Sequence, residues 1–166
     1  MRQYNPREVV QVAIDVEHNG EHFYGAMARE TNNKEMKGLL MFLKEQETKH
    51  AVTFQKILEG IDEFILTETD AGGDYDAYFR AVASLYIFTP QVIKEKIEKG
   101  FSSDMEVVAF AMQIEKDSIL TYLALRKYIV PQKQSVIDAV IHEEEMHLVR
   151  LTAMRDEMIA YTNKQK

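Results

Sequence analysis

Apolar residues recur at helical spacing along several stretches of the chain, and turn residues separate these stretches. Helix A is predicted over 6–30, where Pro6 suits a first helical turn. The polar residues 31–33 form a short turn, and helix B then runs to a C-cap at Gly60. Ala, Leu, Met, Glu and Lys are frequent in both stretches, and these residues favour helix. The first part of the chain therefore predicts a helical hairpin.

A second hairpin is predicted in the C-terminal part of the chain. Helix C begins with a capping box, in which the Ser103 hydroxyl and the Glu106 carboxylate each bind a free backbone N–H. The helix is expected to end at Val130–Pro131, and helix D follows it and frays at 163–166.

Residues 61–101 join the two hairpins. They contain a predicted loop at 70–74 and two candidate short helices at 75–88 and 90–99. Short turns within each hairpin and one long connection between them predict an all-α four-helix bundle with a B–C crossover. A simple up-down-up-down bundle would not need so long a connection. We expect one domain over 1–166.

The two hairpins also resemble each other in sequence. A shift of 98 residues aligns helix A with helix C, and a shift of 97 residues aligns helix B with helix D. The matched polar pairs are Glu17 with Glu115, Tyr24 with Tyr122, Glu47 with Glu144 and His50 with His147. The chain is therefore expected to fold as two copies of one hairpin, related by a pseudo-two-fold axis.

Each predicted helix carries a carboxylate in the middle of its core-facing stripe. The stripe of helix B reads Leu40, Leu43, Glu47, His50, Phe54 and Ile57 at alternating steps of three and four residues. Helices A, C and D place Glu17, Glu115 and Glu144 in the same way, and His147 follows Glu144 by one turn. These six residues lie at similar distances from the two hairpin turns, so we expect them to converge on one layer.

Four buried carboxylates without partners would cost several kcal/mol each. Two divalent cations would balance their charge, and carboxylate with imidazole suits Fe, Mn or Zn. One Glu from each of two helices, with Glu-x-x-His from each of the other two, is the ligand arrangement of di-iron and di-manganese bundles. A single Glu-x-x-His is a weak signal, because helices produce it by chance. Two such motifs at equivalent positions predict a dinuclear metal site.

Other polar residues near these motifs have less defined roles. Glu21 lies on the correct face of helix A, but its repeat partner is Ile119, and whether it is a ligand is open. Tyr24 and Tyr122 either hydrogen-bond the ligand carboxylates or pack in the core. The remaining candidates are assigned to the solvated surface: His18, His22, His142, Glu143 and Glu145.

Composition narrows the possible chemistry. The 166 residues contain no cysteine, which excludes disulfides, thiolate nucleophiles and Cys-ligated iron or zinc within this sequence. A net charge of −7 without a basic patch argues against nucleic acid or anionic membranes as partners. There is no signal peptide and no apolar stretch long enough to span a membrane, so a cytoplasmic protein is expected.

The paired motifs resemble the rubrerythrin-like branch of the ferritin-like superfamily. The resemblance rests on AIDVEHNGEHFY (13–24), EQETKH (45–50), AMQIEKDSILTY (111–122) and HEEEMH (142–147). It implies a ferritin-like bundle in which four glutamates bind two irons. Glu47 and Glu144 would bridge the metals, and His50 and His147 would be terminal ligands.

Two features depart from that family pattern. Full-length rubrerythrins add a Cys-ligated rubredoxin domain that supplies electrons, and this chain has no cysteine and no room for it. They also carry a second Glu three residues after the helix C ligand, where this chain has Ser118. The expected site is therefore more symmetric and closer to the ferroxidase centres of bacterioferritin-like proteins.

These observations predict a di-iron oxidoreductase that reacts with peroxide or O₂, in oxidative-stress defence or iron metabolism. The expected partners are the oxidant or Fe(II), a second copy of the chain in a homodimer or larger oligomer, and an external electron-donor protein. The alternatives are iron storage or delivery, and a non-enzymatic helical interaction module in which the metal is structural. In the last case the aromatic-rich stretch 75–88 would be the functional surface.

Overall fold

The computed structural model describes residues 6–65, 77–78, 81–82 and 89–164. The helices with described bounds are α1 (Pro6–Glu30), α2 (Lys34–Glu59), α3 (Ile61–Phe64), α4 (Pro90–Lys99), α5 (Asp104–Arg126) and α6 (Gln134–Lys164), and a 3₁₀ turn (Pro131–Lys133) precedes α6. Helices α1, α2, α5 and α6 correspond to the predicted helices A to D, and α4 confirms the helix predicted at 90–99. The predicted loop at 70–74 and most of the predicted helix at 75–88 lie outside the described residues.

The predicted bounds of the first hairpin are confirmed, and local capping explains them. The Asn33 side chain accepts hydrogen bonds from the N–H groups of Glu35 and Met36, at 3.0 and 3.1 Å, and so caps α2. At the other end, the Gly60 N–H donates to the carbonyl of Lys56.

The start of α5 only partly follows the predicted capping box. The Ser103 hydroxyl accepts from the Glu106 N–H at 3.2 Å, as expected. The Glu106 carboxylate, however, accepts from the N–H and hydroxyl of Ser102, both at 2.8 Å, and from Lys96 of α4 at 2.7 Å. The lysine ties the crossover helix to the second hairpin, which a local sequence motif cannot show.

Helix α5 ends earlier than predicted, at Arg126 rather than at Val130–Pro131. Ile129 forms an isolated antiparallel bridge with Ile65, and the Val130 N–H donates to the Phe64 carbonyl at 2.8 Å. This pairing fixes the end of the first hairpin against the turn of the second. The chain must leave the helical conformation to make it.

The hairpins α1–α2 and α5–α6 pack as a bundle, with α1 against α5 and α2 against α6, while α4 packs on α1. Two apolar clusters fill its interior. One contains Val10, Ile14, Phe54, Ile57, Ile129 and Ile137, and the other contains Phe23, Met27, Leu40, Leu43, Val108 and Leu151. The predicted all-α bundle is confirmed. No helix within the described ranges is long and apolar enough to cross a membrane.

Candidate metal centre

A layer of buried polar side chains lies between the two apolar clusters. Helices α1, α2, α5 and α6 each contribute one glutamate, and α2 and α6 each add a histidine. All six side chains are buried: Glu17, Glu47, His50, Glu115, Glu144 and His147. The structure thus brings together the six residues that the sequence pattern selects, because each occupies the core-facing position of its helix.

These side chains form two overlapping groups of potential ligands. Within each group, one donor atom from every residue lies within 4.8 Å of the others. The first group is Glu17, Glu47, His50 and Glu144, and the second is Glu47, Glu115, Glu144 and His147. Glu47 and Glu144 belong to both groups, so each half of the layer has one carboxylate and one histidine of its own and shares two carboxylates.

Two tyrosines connect the hairpins through this layer. The Tyr24 hydroxyl on α1 donates to Glu115 on α5, and the Tyr122 hydroxyl on α5 donates to Glu17 on α1. Burial and the neighbouring carboxylates raise the pKa of both tyrosines well above its usual value, so both hydroxyls stay protonated and act as donors. Both interpretations left open by the sequence are confirmed, because each tyrosine hydrogen-bonds a carboxylate and also packs in one of the apolar clusters.

The two imidazoles lie nearly parallel, with 5.6 Å between ring centres. Nε2 of His50 lies 2.7 Å from Glu143, and its Nδ1 faces the layer at 2.8 Å from Glu144 and 3.5 Å from Glu17. Nδ1 of His147 lies 3.0 Å from Glu144 and 3.6 Å from Glu115. Both rings therefore direct Nδ1 at the carboxylates.

The layer contains acceptor atoms that the protein does not satisfy. Three of the four glutamates have one buried oxygen without a hydrogen-bond partner among the described residues: Oε2 of Glu17 and Glu115, and Oε1 of Glu47. Buried polar atoms of this kind are rare, because leaving one unpaired costs about 1–3 kcal/mol. Cations bound between these oxygens would satisfy them, so the donor set fits a pair of divalent metal ions.

The pKa shifts of the carboxylates also fit a metal-binding site. Burial raises the pKa of Glu17 and Glu47 well above the usual value, although Glu17 also receives hydrogen bonds that lower its pKa. Burial and the charge of Glu144 raise the pKa of Glu115 to about 8. Without metal, these acids are most stable when protonated. A metal ion would take the place of those protons.

Glu144 and the two histidines shift each other's pKa in opposite directions. Burial raises the pKa of Glu144, but hydrogen bonds from His147 and His50 outweigh burial and lower it below the usual value. Burial lowers the pKa of both histidines, yet their bonds to the carboxylates raise it to about 9 for His50 and about 10 for His147. Glu144 is therefore the carboxylate that stays ionised without metal.

Residues outside the layer follow the sequence predictions with one exception. His18 and His142 are exposed and lie 3.5 and 3.6 Å from Glu21 and Glu145, and His22 is exposed as well. Glu21 belongs to neither group of potential ligands.

Glu143 is the exception in one respect: it is exposed, as predicted, but it also has a contact that the sequence did not predict. Its side chain is 52% exposed, yet it contacts the buried His50. The contact itself depends on how α2 packs against α6.

The bundle and its buried layer together define the class: an all-α four-helix bundle with a ferritin-like fold and a carboxylate–histidine layer that could hold two metal ions. A solved structure from Thermotoga maritima, described as a ferritin-like diiron-carboxylate protein, matches with a TM-score of 0.71 and 24% identity, covering 95% of this chain and 99% of that one. The chain belongs to the rubrerythrin family, whose sequence profile matches residues 8–155. A search of curated protein sequences finds no match.

Proposed function

We propose that the protein is a di-iron oxidoreductase that reacts with peroxide or O₂. The observation that carries this proposal is the pair of overlapping ligand groups, in which Glu47 and Glu144 are common to both. Shared carboxylates hold two metal ions close together and tolerate a change in their charge. We assign Glu17, Glu115, His50 and His147 as the ligands of the individual metals.

Two iron ions held by these residues would supply the redox chemistry: oxidation of two Fe(II) to Fe(III) would provide the two electrons that, with two protons, reduce one peroxide to two waters. The residues of the chain bind and orient. Four carboxylates contribute four negative charges, which neutralise two divalent ions. Tyr24 and Tyr122 fix the orientation of Glu115 and Glu17. The apolar clusters on both sides limit access of water to the layer.

An anaerobic titration with Fe(II), followed by rapid mixing, tests the proposal. Uptake should end at about two equivalents per chain, as expected for a dinuclear site. Oxidation by peroxide that is faster than oxidation by O₂ supports a peroxidase. A site that takes up one metal, or that holds iron inert to both oxidants, contradicts the proposal and favours a structural metal in an interaction module.

Ferroxidase-coupled iron storage or delivery is the second candidate. It is supported by Ser118, which is buried at the position where rubrerythrins carry an additional glutamate. In the same experiment, turnover of many Fe(II) ions per chain with O₂ would favour it.

The electron donor, the oligomer and the cellular location complete the proposal. Because this sequence holds no Cys-ligated iron that could supply electrons, we propose that a donor protein supplies them in a peroxidase cycle. We propose a homodimer or larger homo-oligomer in the cytoplasm. Size-exclusion chromatography with light scattering tests the oligomeric state.

A further inference from the structure

Gly20 lies in the middle of α1, one turn after Glu17, where a glycine weakens a helix relative to alanine. Its backbone approaches the side chain of Glu47 closely. A Cβ atom at position 20 would lie 3.1 Å from Cδ and Oε2 of Glu47 and 3.3 Å from its Cγ. These three atoms are the nearest neighbours of that Cβ, so the space that glycine leaves open is filled by the Glu47 carboxylate.

The displacement of Glu47 would matter more than that of an ordinary flexible side chain. Glu47 is buried, and it is one of the two carboxylates shared by the two ligand groups. Its Oε2 lies against α1 at Gly20, while its Oε1 is the atom left without a hydrogen-bond partner among the described residues. Moving the carboxylate away from α1 would therefore shift the contribution of Glu47 to both groups together.

We propose that Gly20 is a positioning residue for Glu47, whose carboxylate reaches its shared position only because position 20 has no side chain. The inference rests on the proposed dinuclear site. The two halves of the repeat differ at this position, because the residue of α5 equivalent to Gly20 is the buried Ser118. The shared carboxylate of Glu47 is thus positioned by a missing side chain in its own hairpin.

The test compares Gly20→Ala with two glycine controls, using Co(II) as a spectroscopic probe of metal binding. Gly25→Ala lies on the same helix, where the Cβ would meet the flexible side chains of Lys44 at 3.4 Å and Arg29 at 3.7 Å, and Gly38→Ala has no neighbour within 4 Å. We expect Gly20→Ala to weaken Co(II) binding by about 10- to 100-fold and to change the visible spectrum. Both controls should bind two Co(II) like the wild type. Equal binding by Gly20→Ala would overturn the inference.

A double-mutant cycle on the metal-free protein tests the same contact without any metal. In the Glu47→Ala variant the space beside position 20 is open. Adding Gly20→Ala to this variant should raise its melting temperature, because alanine favours helix. With Glu47 present, the same change should raise it less or lower it. Equal shifts in both backgrounds would overturn the inference even if Gly20→Ala folds poorly.

The two experiments also separate this inference from the proposed function. If the wild type fails to bind two Co(II), the dinuclear site is wrong, whatever the melting temperatures show. If the wild type binds two Co(II) and Gly20→Ala does as well, the site stands and the role of Gly20 is wrong.

Discussion

Glu143 of α6 accepts a hydrogen bond from Nε2 of His50 of α2 at 2.7 Å, although Glu143 is half exposed and His50 is buried. A carboxylate has only acceptors, so Nε2 carries a proton. Without metal, Nδ1 also carries a proton and donates to Glu144, and a metal that displaced this proton would bind the lone pair of Nδ1, which is directed at the layer. Carboxylate–histidine pairs of this kind orient metal-binding imidazoles and raise their basicity.

Loss of this carboxylate should weaken one half of the centre. We expect Glu143→Ala to lower the metal affinity of the half that contains His50 by about 10- to 100-fold, with little change in the fold. Competition titration with Co(II) measures the affinity. The control is Glu145→Ala, because Glu145 is exposed and contacts only the exposed His142 in this part of the structure. Equal losses in both variants would show that Glu143 does not act through His50.

The shared and unshared carboxylates should differ in metal stoichiometry. Glu47→Ala and Glu144→Ala each remove a member of both ligand groups, so binding of both metals should be lost. Glu17→Ala and Glu115→Ala each disrupt one group, and about one metal per chain should remain. Metal analysis after anaerobic loading and desalting measures the difference. Two metals retained in Glu47→Ala would contradict the assignment of Glu47 as a bridge.

Tyr122→Phe should destabilise the metal-free protein by about 1–3 kcal/mol, because the buried Glu17 loses its donor. Tyr24→Phe should act in the same way through Glu115. Urea denaturation gives the free energy of unfolding. Tyr161→Phe is the matched control, since that side chain is 66% exposed, and its stability should stay at the wild-type value. An unchanged free energy of unfolding in Tyr122→Phe would mean that the hydroxyl contributes no net stability.

The stability of the metal-free protein should fall as the pH rises from about 5 to about 8. The folded state raises the pKa of Glu115 from 4.5 to about 8, so it binds a proton in this range that the unfolded chain has released. Glu17, Glu47 and the two histidines shift in the same direction. The lowered pKa of Glu144 has the opposite effect, but only in more acidic solution.

Bound metal should reverse the pH dependence of the stability. It would replace the protons on the carboxylates and histidines, and it would bind more tightly as the pH rises. Melting temperatures of the chelator-treated and Co(II)-loaded protein across this range measure both trends. Metal-free stability that is constant or rises with pH would contradict the proposed protonation of the layer.

The sequence predicted the first hairpin and the polar layer because both depend on local periodicity. Pro6 and Gly60 mark helix ends, and Glu47 with His50 interrupts an apolar stripe in a way that its repeat at Glu144 reproduces. Such signals need only the order of residues along one helix.

The features that the sequence did not predict depend on contacts between distant segments. Helix α5 stops at Arg126, and Ile129 then pairs with Ile65, which lies at the start of the connection between the hairpins. Glu143 reaches His50 across the interface of α2 and α6. Both contacts depend on how the hairpins dock, and periodicity within a single helix carries no information about that.

The reciprocal tyrosine bonds have a consequence for the origin of the protein. Tyr24 donates a hydrogen bond to Glu115 and Tyr122 donates one to Glu17, so each hairpin supplies the donor for a carboxylate of the other hairpin. A lone hairpin would find the same partners only in another copy of itself, placed across the pseudo-two-fold axis. This is the arrangement expected if an ancestral hairpin assembled as a symmetric pair, and if its gene was later duplicated and fused. Gly20 and Ser118 occupy equivalent positions, and they would then differ because the two halves diverged from one ancestral sequence.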